Sequence, residues 1–428
     1  MPIQLALNNM KQSQLFSKTR RHSPKDETAK NAELLIRAGF IHKEMAGVYS
    51  YLPLGLRVLN KIEGIIREEM NALGGQEISM TALQEKEIWE KTNRWDDSLL
   101  DNWFKTKLKN QTELGLATTH EEPLTRILLE YVNSYRDLPL YIYQFQTKFR
   151  NELRSKSGIL RGREFLMKDL YSFSRDEKEH QDFYEKSKKS YFKIFERLGL
   201  GEKTFITFSS GGSFSKYSHE FQTLTEAGED TIYLDEKTGI AINKEVYSDD
   251  VIENLKLEKS NLKELKAIEV GNIFSLGTKF SEGLGLNFKN EEGKDVPVIM
   301  GSYGIGLGRV MGAVVEVLSD EKGLLWPASI APFEAHLIIV DSKDGEIRAE
   351  ADSFYEKLSK KFEVLYDDRD LRAGEKFADA ELIGIPYILI ISKKTESEGK
   401  IEVKERKSGK SVLVEKNKVL SEGFSKLF

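Results

Sequence analysis

The stretch from Leu140 to Phe173 gathers residue types that handle phosphate. From Gln144 onward the even positions read Gln144, Gln146, Lys148, Arg150 and Glu152, while Tyr141, Tyr143, Phe145 and Phe149 take the odd ones. Period two predicts a strand with one polar face, a pattern that an ordinary half-buried strand shares. The adjoining loop is less ordinary. Arg154, Lys156, Arg161 and Arg163 are interspersed with Gly158 and Gly162 before a second strand opens at Glu164-Phe165. A cationic hairpin beside Arg150 and Glu152 suits a triphosphate or the end of an RNA, because guanidinium groups grip phosphate oxygens bidentately.

Three other stretches carry candidate chemistry. Gly301-Ser302-Tyr303-Gly304-Ile305-Gly306-Leu307-Gly308-Arg309 leads into Val310–Leu318, a run apolar except for Gly312 and Glu316. It reads as a glycine-rich strand-to-helix turn but fails the dinucleotide fingerprint, since no glycine stands three residues after Gly306. Arg309 would sit in the first helical turn, where a cation opposes the macrodipole, so an anion or a ring is expected there. Thr118-Thr119-His120-Glu121-Glu122-Pro123 places acids and a proline where a helix opens at Leu124, and on its residues alone it is simply a good N-terminus. Leu365 to Pro386 is dense in charge, which by itself marks a solvated helix face.

Taken together, these residues resemble a family. Phe149-Arg150-Asn151-Glu152, the basic loop and Arg163-Glu164-Phe165-Leu166-Met167-Lys168-Asp169 resemble motif 2 of the class II aminoacyl-tRNA synthetases in its prolyl form, and Gly301–Arg309 resembles motif 3. The resemblance implies that Arg150 binds the α-phosphate and the amino-acid carboxylate, that Glu152 reads the adenine amino group and that Phe165 stacks on the base. Arg309 would close the stack from the other side and contact the γ-phosphate. Arg161, helped by Arg154 and Arg163, would reach the outer phosphates or the tRNA end. Arg150 and Arg309 are thus the expected catalytic residues. Thr119 and Glu121 fall on the Thr-x-Glu loop that holds the proline ammonium in this family. A hydroxyl and a carboxylate satisfy the two donors of a secondary ammonium. Ser218-His219-Glu220-Phe221 and Gly228-Glu229-Asp230 match segments near that pocket and add His219 and Glu229, with Ser302 at its edge.

The charge-dense stretch resembles the anticodon-binding domain of several such enzymes, which implies RNA contacts by Asp368, Arg369, Arg372, Lys376, Asp379 and Glu381. Proline, ATP, proline tRNA and a second copy in a homodimer are the implied partners, with magnesium expected on the ATP phosphates. Departures from the family pattern stand at Thr81, in place of the motif 1 proline, and at Ser302, where bacterial enzymes often have cysteine. Phe214-Ser215 replaces a glycine pair, and Asn272 replaces a histidine. Many bacterial members carry a long editing insertion between motifs 2 and 3. Here only Thr231–Ala267 lies in that place, too short for a domain core, so no editing in cis is expected.

The elements that must position these residues are legible in outline. Strands of period two mixed with long amphipathic helices predict an α+β class II catalytic domain over residues 1–330, an antiparallel sheet flanked by helices. Val58, Leu59, Ile62, Ile65, Ile66, Met70 and Leu73 mark one helix, stopped by Gly74-Gly75. The Trp326–Pro332 segment, with its two prolines, marks a boundary. Beyond it, apolar runs at Ala335–Val340, Val364–Tyr366 and Tyr387–Ile391 alternate with helical patterns, predicting a small α/β anticodon-binding domain over 331–428. A length of 428 residues fits more than one core. The absence of cysteine excludes disulfides, thiolate catalysis and Cys-ligated zinc, and six scattered histidines do not rebuild a metal site. No apolar run of ~18 residues is present, so no membrane span is expected. The net charge of −5 argues against bulk electrostatic binding of nucleic acid but leaves room for local basic patches. Residues 1–25 carry five Lys or Arg and no acid, as a transit peptide would. They lack a signal-peptide core, and Gln12–Arg21 resembles the family's ordinary start, so a cytoplasmic protein is expected. The alternatives are a threonyl- or glycyl-type synthetase and a catalytically silent paralogue.

Overall fold

The computed structural model describes residues 9–153, 155, 157–212 and 217–428, so Arg154, Lys156 and the Phe214-Ser215 departure lie outside the described residues. The chain divides into two compact units, one formed by Met45–Tyr49 and Ile62–Val317 and the other by Met1–Glu44, Ser50–Lys61 and Leu318–Phe428.

The larger unit is built on a nine-stranded sheet. At its centre Leu140–Phe149, Glu164–Ser174, Ile299–Gly306 and Leu262–Gly277 run antiparallel in that spatial order, and Tyr217–Leu224 pairs with the far side of Leu262–Gly277. Directly paired residues share a face, so the register sorts the side chains. Lys148 opposes Phe165, Gln144 opposes Asp169, and Ser302 lies between Tyr171 and Phe274 on one face. Tyr143, Leu170, Tyr303 and Ile273 line the other. The helix Glu177–Arg197 covers this second face with Phe183, Tyr184 and Tyr191. The first face is closed at one end by Glu121–Leu128 and Lys279–Leu284, through Leu124, Leu128 and Phe280. Its other end is left open as a cleft.

Two glycines allow the close approaches this requires. A side chain on Gly304 would come within 2.4 Å of Met167 Cε and 2.8 Å of Asn272 Oδ1, and one on Gly312 would meet Leu160 at 2.8 Å. The expected strand-to-helix junction is present, with the run from Gly301 to Gly306 forming a central strand of the sheet. The change of direction is confined to the step into the helix Leu307–Leu318.

In the smaller unit Val364–Asp367, Ala335–Ile339 and Tyr387–Ile391 form a parallel core sheet, extended antiparallel by Lys400–Glu405 and Ser411–Glu415. Leu337, Ile339, Leu389 and Ile391 pack beneath Phe354 and Leu358, and Ile338, Ile388 and Ile390 pack against Ala380 on the opposite face. Burial on both faces explains the uninterrupted apolar runs. One feature departs from the division expected at residue 330. Met10–Lys11 joins this sheet as a parallel edge strand beside Val364–Asp367, and Arg57 and Lys61 both bind Glu363, at 2.5 and 2.6 Å. A composition break in the chain cannot reveal such returns from the distant N-terminal segment.

Candidate active site

The strand pair 140–149 and 164–174 delivers Arg150 and Phe165 to the open end of the cleft, with the guanidinium 5.3 Å from the ring centre. Arg150 Nε and Nη2 donate only long bonds, 3.4 Å each, to Thr118 O. Burial, and then the neighbouring positive charge of Arg309, lower its hold on its proton. Glu152, Glu269 and Glu121 act on it only through space, and no carboxylate is hydrogen-bonded to it among the described contacts, so its donors are open to an anion. Arg309, in the first turn of Leu307–Leu318, donates to Glu269 Oε2 at 2.6 Å, to Glu269 O at 3.1 Å and to Leu160 O at 3.0 Å. Arg161 bridges Glu152 and Glu229 at 3.0 Å each. Arg150, Glu152, Arg161, Phe165 and Arg309, picked from two distant stretches of sequence, thus line one cleft.

Toward the closed end stand Thr119, Glu121 and Ser302. Glu121 is 1% exposed, and its carboxylate accepts from Thr119 Oγ1 at 2.6 Å and from Ser302 Oγ at 3.2 Å. The helix begins at Glu121, three residues before the expected Leu124, with Pro123 in its first turn where a missing N–H costs nothing. Beneath this loop lies a buried polar floor that the period-two pattern did not disclose as buried. Asp169 Oδ2 accepts from Lys148 Nζ at 2.9 Å, Gln144 Nε2 at 3.0 Å and Tyr171 Oη at 2.9 Å. Lys148 also donates to His120 Nδ1 at 2.5 Å, which assigns the proton to Nε2, 3.0 Å from Thr81 O. Burial, then the Lys148 charge, push the His120 imidazole down to about 4, so the ring is neutral and serves as a fixed peg for the loop.

Other expected residues fall elsewhere. His219 pairs with Ile273 on the sheet face that packs against the helix Glu177–Arg197, and its Nδ1 is 2.8 Å from Tyr184 Oη. It therefore faces away from Thr119 and Glu121, and its place in a proline pocket is corrected. The residue turned toward the cleft side is its neighbour Glu220, opposite Asn272. Glu229 lies with Arg161 and Ser157 at the phosphate-binding end expected for Arg161, not with Glu121. Arg163 clasps backbone, donating to Glu152 O and Ala46 O. Asn272 donates to Glu269 Oε1 at 2.8 Å along the cleft wall, and Thr81 Oγ1 donates to Leu83 O.

In the smaller unit, Lys376 is fully buried and donates to Ile339 O at 2.7 Å and Asp367 O at 3.4 Å, so it cannot reach a ligand and its assignment to RNA is corrected. Arg369 is held by Asp367 at 2.7 Å and Asp379 at 2.9 Å, and Glu381 is paired with Lys404 and Lys322. Asp368 accepts from Ser13 at 2.7 Å, and Arg372, at the N-terminus of Ala373–Ile383, is exposed. Among the described residues no three His, Asp or Glu are grouped to hold a metal ion, and no helix is long and apolar enough to cross a membrane.

Comparison with known proteins gives this cleft its class. Residues 104–318 match the tRNA synthetase class II core domain (G, H, P, S and T), and residues 334–423 match an anticodon binding domain. The proline--tRNA ligase of Caulobacter vibrioides is 37% identical, covering 94% of this chain and 96% of its own length, and that of a Wolbachia from Brugia malayi is 39% identical over the same shares. The chain therefore belongs to the proline--tRNA ligase family. The enzyme of Geobacillus kaustophilus is 33% identical, but its alignment runs to 552 positions against 426 for Caulobacter, so it contains many residues without counterpart here. Among solved structures, the Giardia lamblia prolyl-tRNA synthetase bound to prolyl-adenylate superposes with a TM-score of 0.76 at 18% identity, covering 91% of this chain and 75% of that one. The Cryptosporidium parvum enzyme with L-proline and AMP gives 0.74 at 17% identity, with 94% and 78% covered.

Proposed function

We propose that this chain is a proline--tRNA ligase: it activates proline with ATP and transfers it to the 3′ end of proline tRNA. The observation that carries the reading is the cleft in which Arg150, Phe165 and Arg309 stand together, with Thr119, Glu121 and Ser302 at its closed end. The proline ammonium takes the acceptors of Thr119 and Glu121. The adenine ring lies between Phe165 and Arg309, with Glu152 at its amino group. The proline carboxylate attacks the α-phosphate, pyrophosphate leaves, and the terminal ribose hydroxyl of the tRNA then attacks the prolyl adenylate and releases AMP. Arg150 neutralises charge at the α-phosphate, and positioning and preorganised charge supply most of the acceleration. Magnesium would arrive with the ATP phosphates.

The catalytic portion lies within residues 1–330, less the N-terminal segments that pack with the smaller unit, and 331–428 act as the anticodon-binding portion, working as a cytoplasmic homodimer. For RNA recognition we retain Arg372 and Asp368 as direct contacts, with Arg369, Asp379 and Glu381 shaping the surface. Aminoacylation of proline tRNA with labelled proline, threonine and glycine tests the reading, and charging with threonine or glycine but not proline would refute it. The short 231–267 connection and the longer Geobacillus alignment support an enzyme without editing in cis. A pocket that admits proline rejects the smaller alanine weakly, at ~1–3 kcal/mol per missing methylene. Preformed alanyl-tRNA for proline, incubated with pure enzyme without AMP and pyrophosphate, should persist. Hydrolysis faster than the enzyme-free control would reveal an editing site.

A further inference from the structure

The segment between Lys86 and Phe104 carries three tryptophans and one buried arginine, none of which the sequence motifs include. Arg94, only 2% exposed, donates from Nη1 to both oxygens of Glu122 at 3.0 Å and to Glu121 Oε2 at 3.4 Å. Its guanidinium lies 5.1 Å from the Trp89 ring centre and 5.2 Å from that of Phe280. Its backbone is pinned by Trp103 Nε1, which donates to Arg94 O at 3.0 Å. Thr92 Oγ1 steadies Glu122 at 2.8 Å. One buried cation therefore serves two buried carboxylates through Nη1, and the second, Glu121, points its remaining oxygen toward Ser302. A buried carboxylate stays ionised and aimed only if a cation or several donors hold it.

We propose that Arg94 is a positioning residue for amino-acid recognition: without touching substrate, it fixes the Glu121 carboxylate that meets the substrate's ammonium. This rests on the reading of Thr119 and Glu121 as the amine pocket. The shared charge is in demand, since burial, against the pull of Arg94, pushes the Glu122 carboxyl up to about 7. Glu121 also feels Lys148 and Arg150 from the floor and the cleft, while Lys279 faces Glu122. Of these cations, Arg94 alone is hydrogen-bonded to Glu121 among the described contacts.

The test is proline-dependent exchange of pyrophosphate into ATP by the full chain, for Arg94→Met, Arg94→Lys and the reference Glu121→Gln, with KM measured separately for proline and ATP. Arg94→Met keeps the apolar packing and removes the long 3.4 Å bond to Glu121, so it should raise the proline KM roughly several-fold, the scale of a modest net hydrogen bond, while the ATP KM stays put. Arg94→Lys, which keeps the charge but not the fork, should recover part of the loss. If Arg94→Met does not fold, the split between the two KM values in Arg94→Lys decides alone. Equal shifts in both KM values, or none in a protein where Glu121→Gln raises the proline KM, would overturn the assignment. If Glu121→Gln itself leaves the proline KM unchanged, the pocket reading fails and the role of Arg94 falls with it.

Discussion

Both units carry motifs crowded with arginine and carboxylate, yet the charges are spent differently. In the smaller unit Arg369 has two carboxylate partners, Lys376 is buried on carbonyl groups, and Arg406 makes two 2.7 Å bonds to Asp320. In the cleft Arg150 has only two long carbonyl contacts, and Glu220, half-buried on the cleft side of its strand with the amides of Gln222 and Asn243 as partners, has no cation bonded to it among the described contacts. Charge density in sequence thus does not tell a ligand-ready site from a structural network. The state of satisfaction separates Arg150 from Arg369 and Lys376, whereas Arg309 and Arg161 in the same cleft are already paired with Glu269 and with Glu152 and Glu229, pairs that a triphosphate would have to displace.

Four changes would sharpen or break that contrast. Arg369→Ala leaves the buried Asp367 without its cation and should cost about 3–5 kcal/mol of stability, as removal of one partner from a buried pair does. Urea unfolding measures it, and pyrophosphate exchange by the folded fraction should be near normal. Arg150→Ala should show the reverse, with adenylate formation down by ~100-fold or more and an unchanged unfolding midpoint. A large stability loss at Arg150, or none at Arg369, would erase the distinction.

The third change uses pH. Burial, then repulsion from Glu269, hold the Glu220 carboxyl up at about 7. A folded pKa above the unfolded one means the native state holds the extra proton, so this group's contribution to stability falls as pH rises from about 4.5 to about 7. Glu220→Gln should flatten that part of the pH–stability curve by an amount on the order of 1–3 kcal/mol. Asp367 has the opposite sign: burial is the largest effect and raises it, but the bonds and charge of Arg369 together with the charges of His336 and Lys376 hold it below its ordinary range, so its contribution is lost only in acid. Arg161→Ala is the mildest. Its ion pairs to Glu152 and Glu229 are partly exposed and worth roughly 0.2–1 kcal/mol, so thermal melting should barely change while the ATP KM rises several-fold.

Much of the cleft was legible in sequence because it is made by alternation. Period two put Arg150 and Glu152 on one face of their strand and then their extension, and antiparallel pairing brought Phe165 to the same face. The same rule, applied further, would have placed His219: it shares parity with Phe221, whose side chain is buried against Tyr191 and Phe195. Lys376 was also readable, since it stands four and seven residues before the buried Ala380 and Ile383 on one helical stripe. Other features left no local signal. Burial of Lys148 depends on Asp169 and His120 arriving from separate segments. Arg94 meets Glu121 from a loop without periodicity, and the Met10–Lys11 strand joins a sheet more than three hundred residues away. These are products of long-range packing, invisible to any window along the chain.

The central claim is that this cleft selects proline and activates it. Pyrophosphate exchange into ATP, measured on the purified chain with each of the twenty amino acids in turn, tests it most directly. Proline should give the strongest exchange, alanine a weaker one, and threonine and glycine none above background. Exchange driven by threonine or glycine with no response to proline, or no exchange with any amino acid from a folded protein, would contradict it.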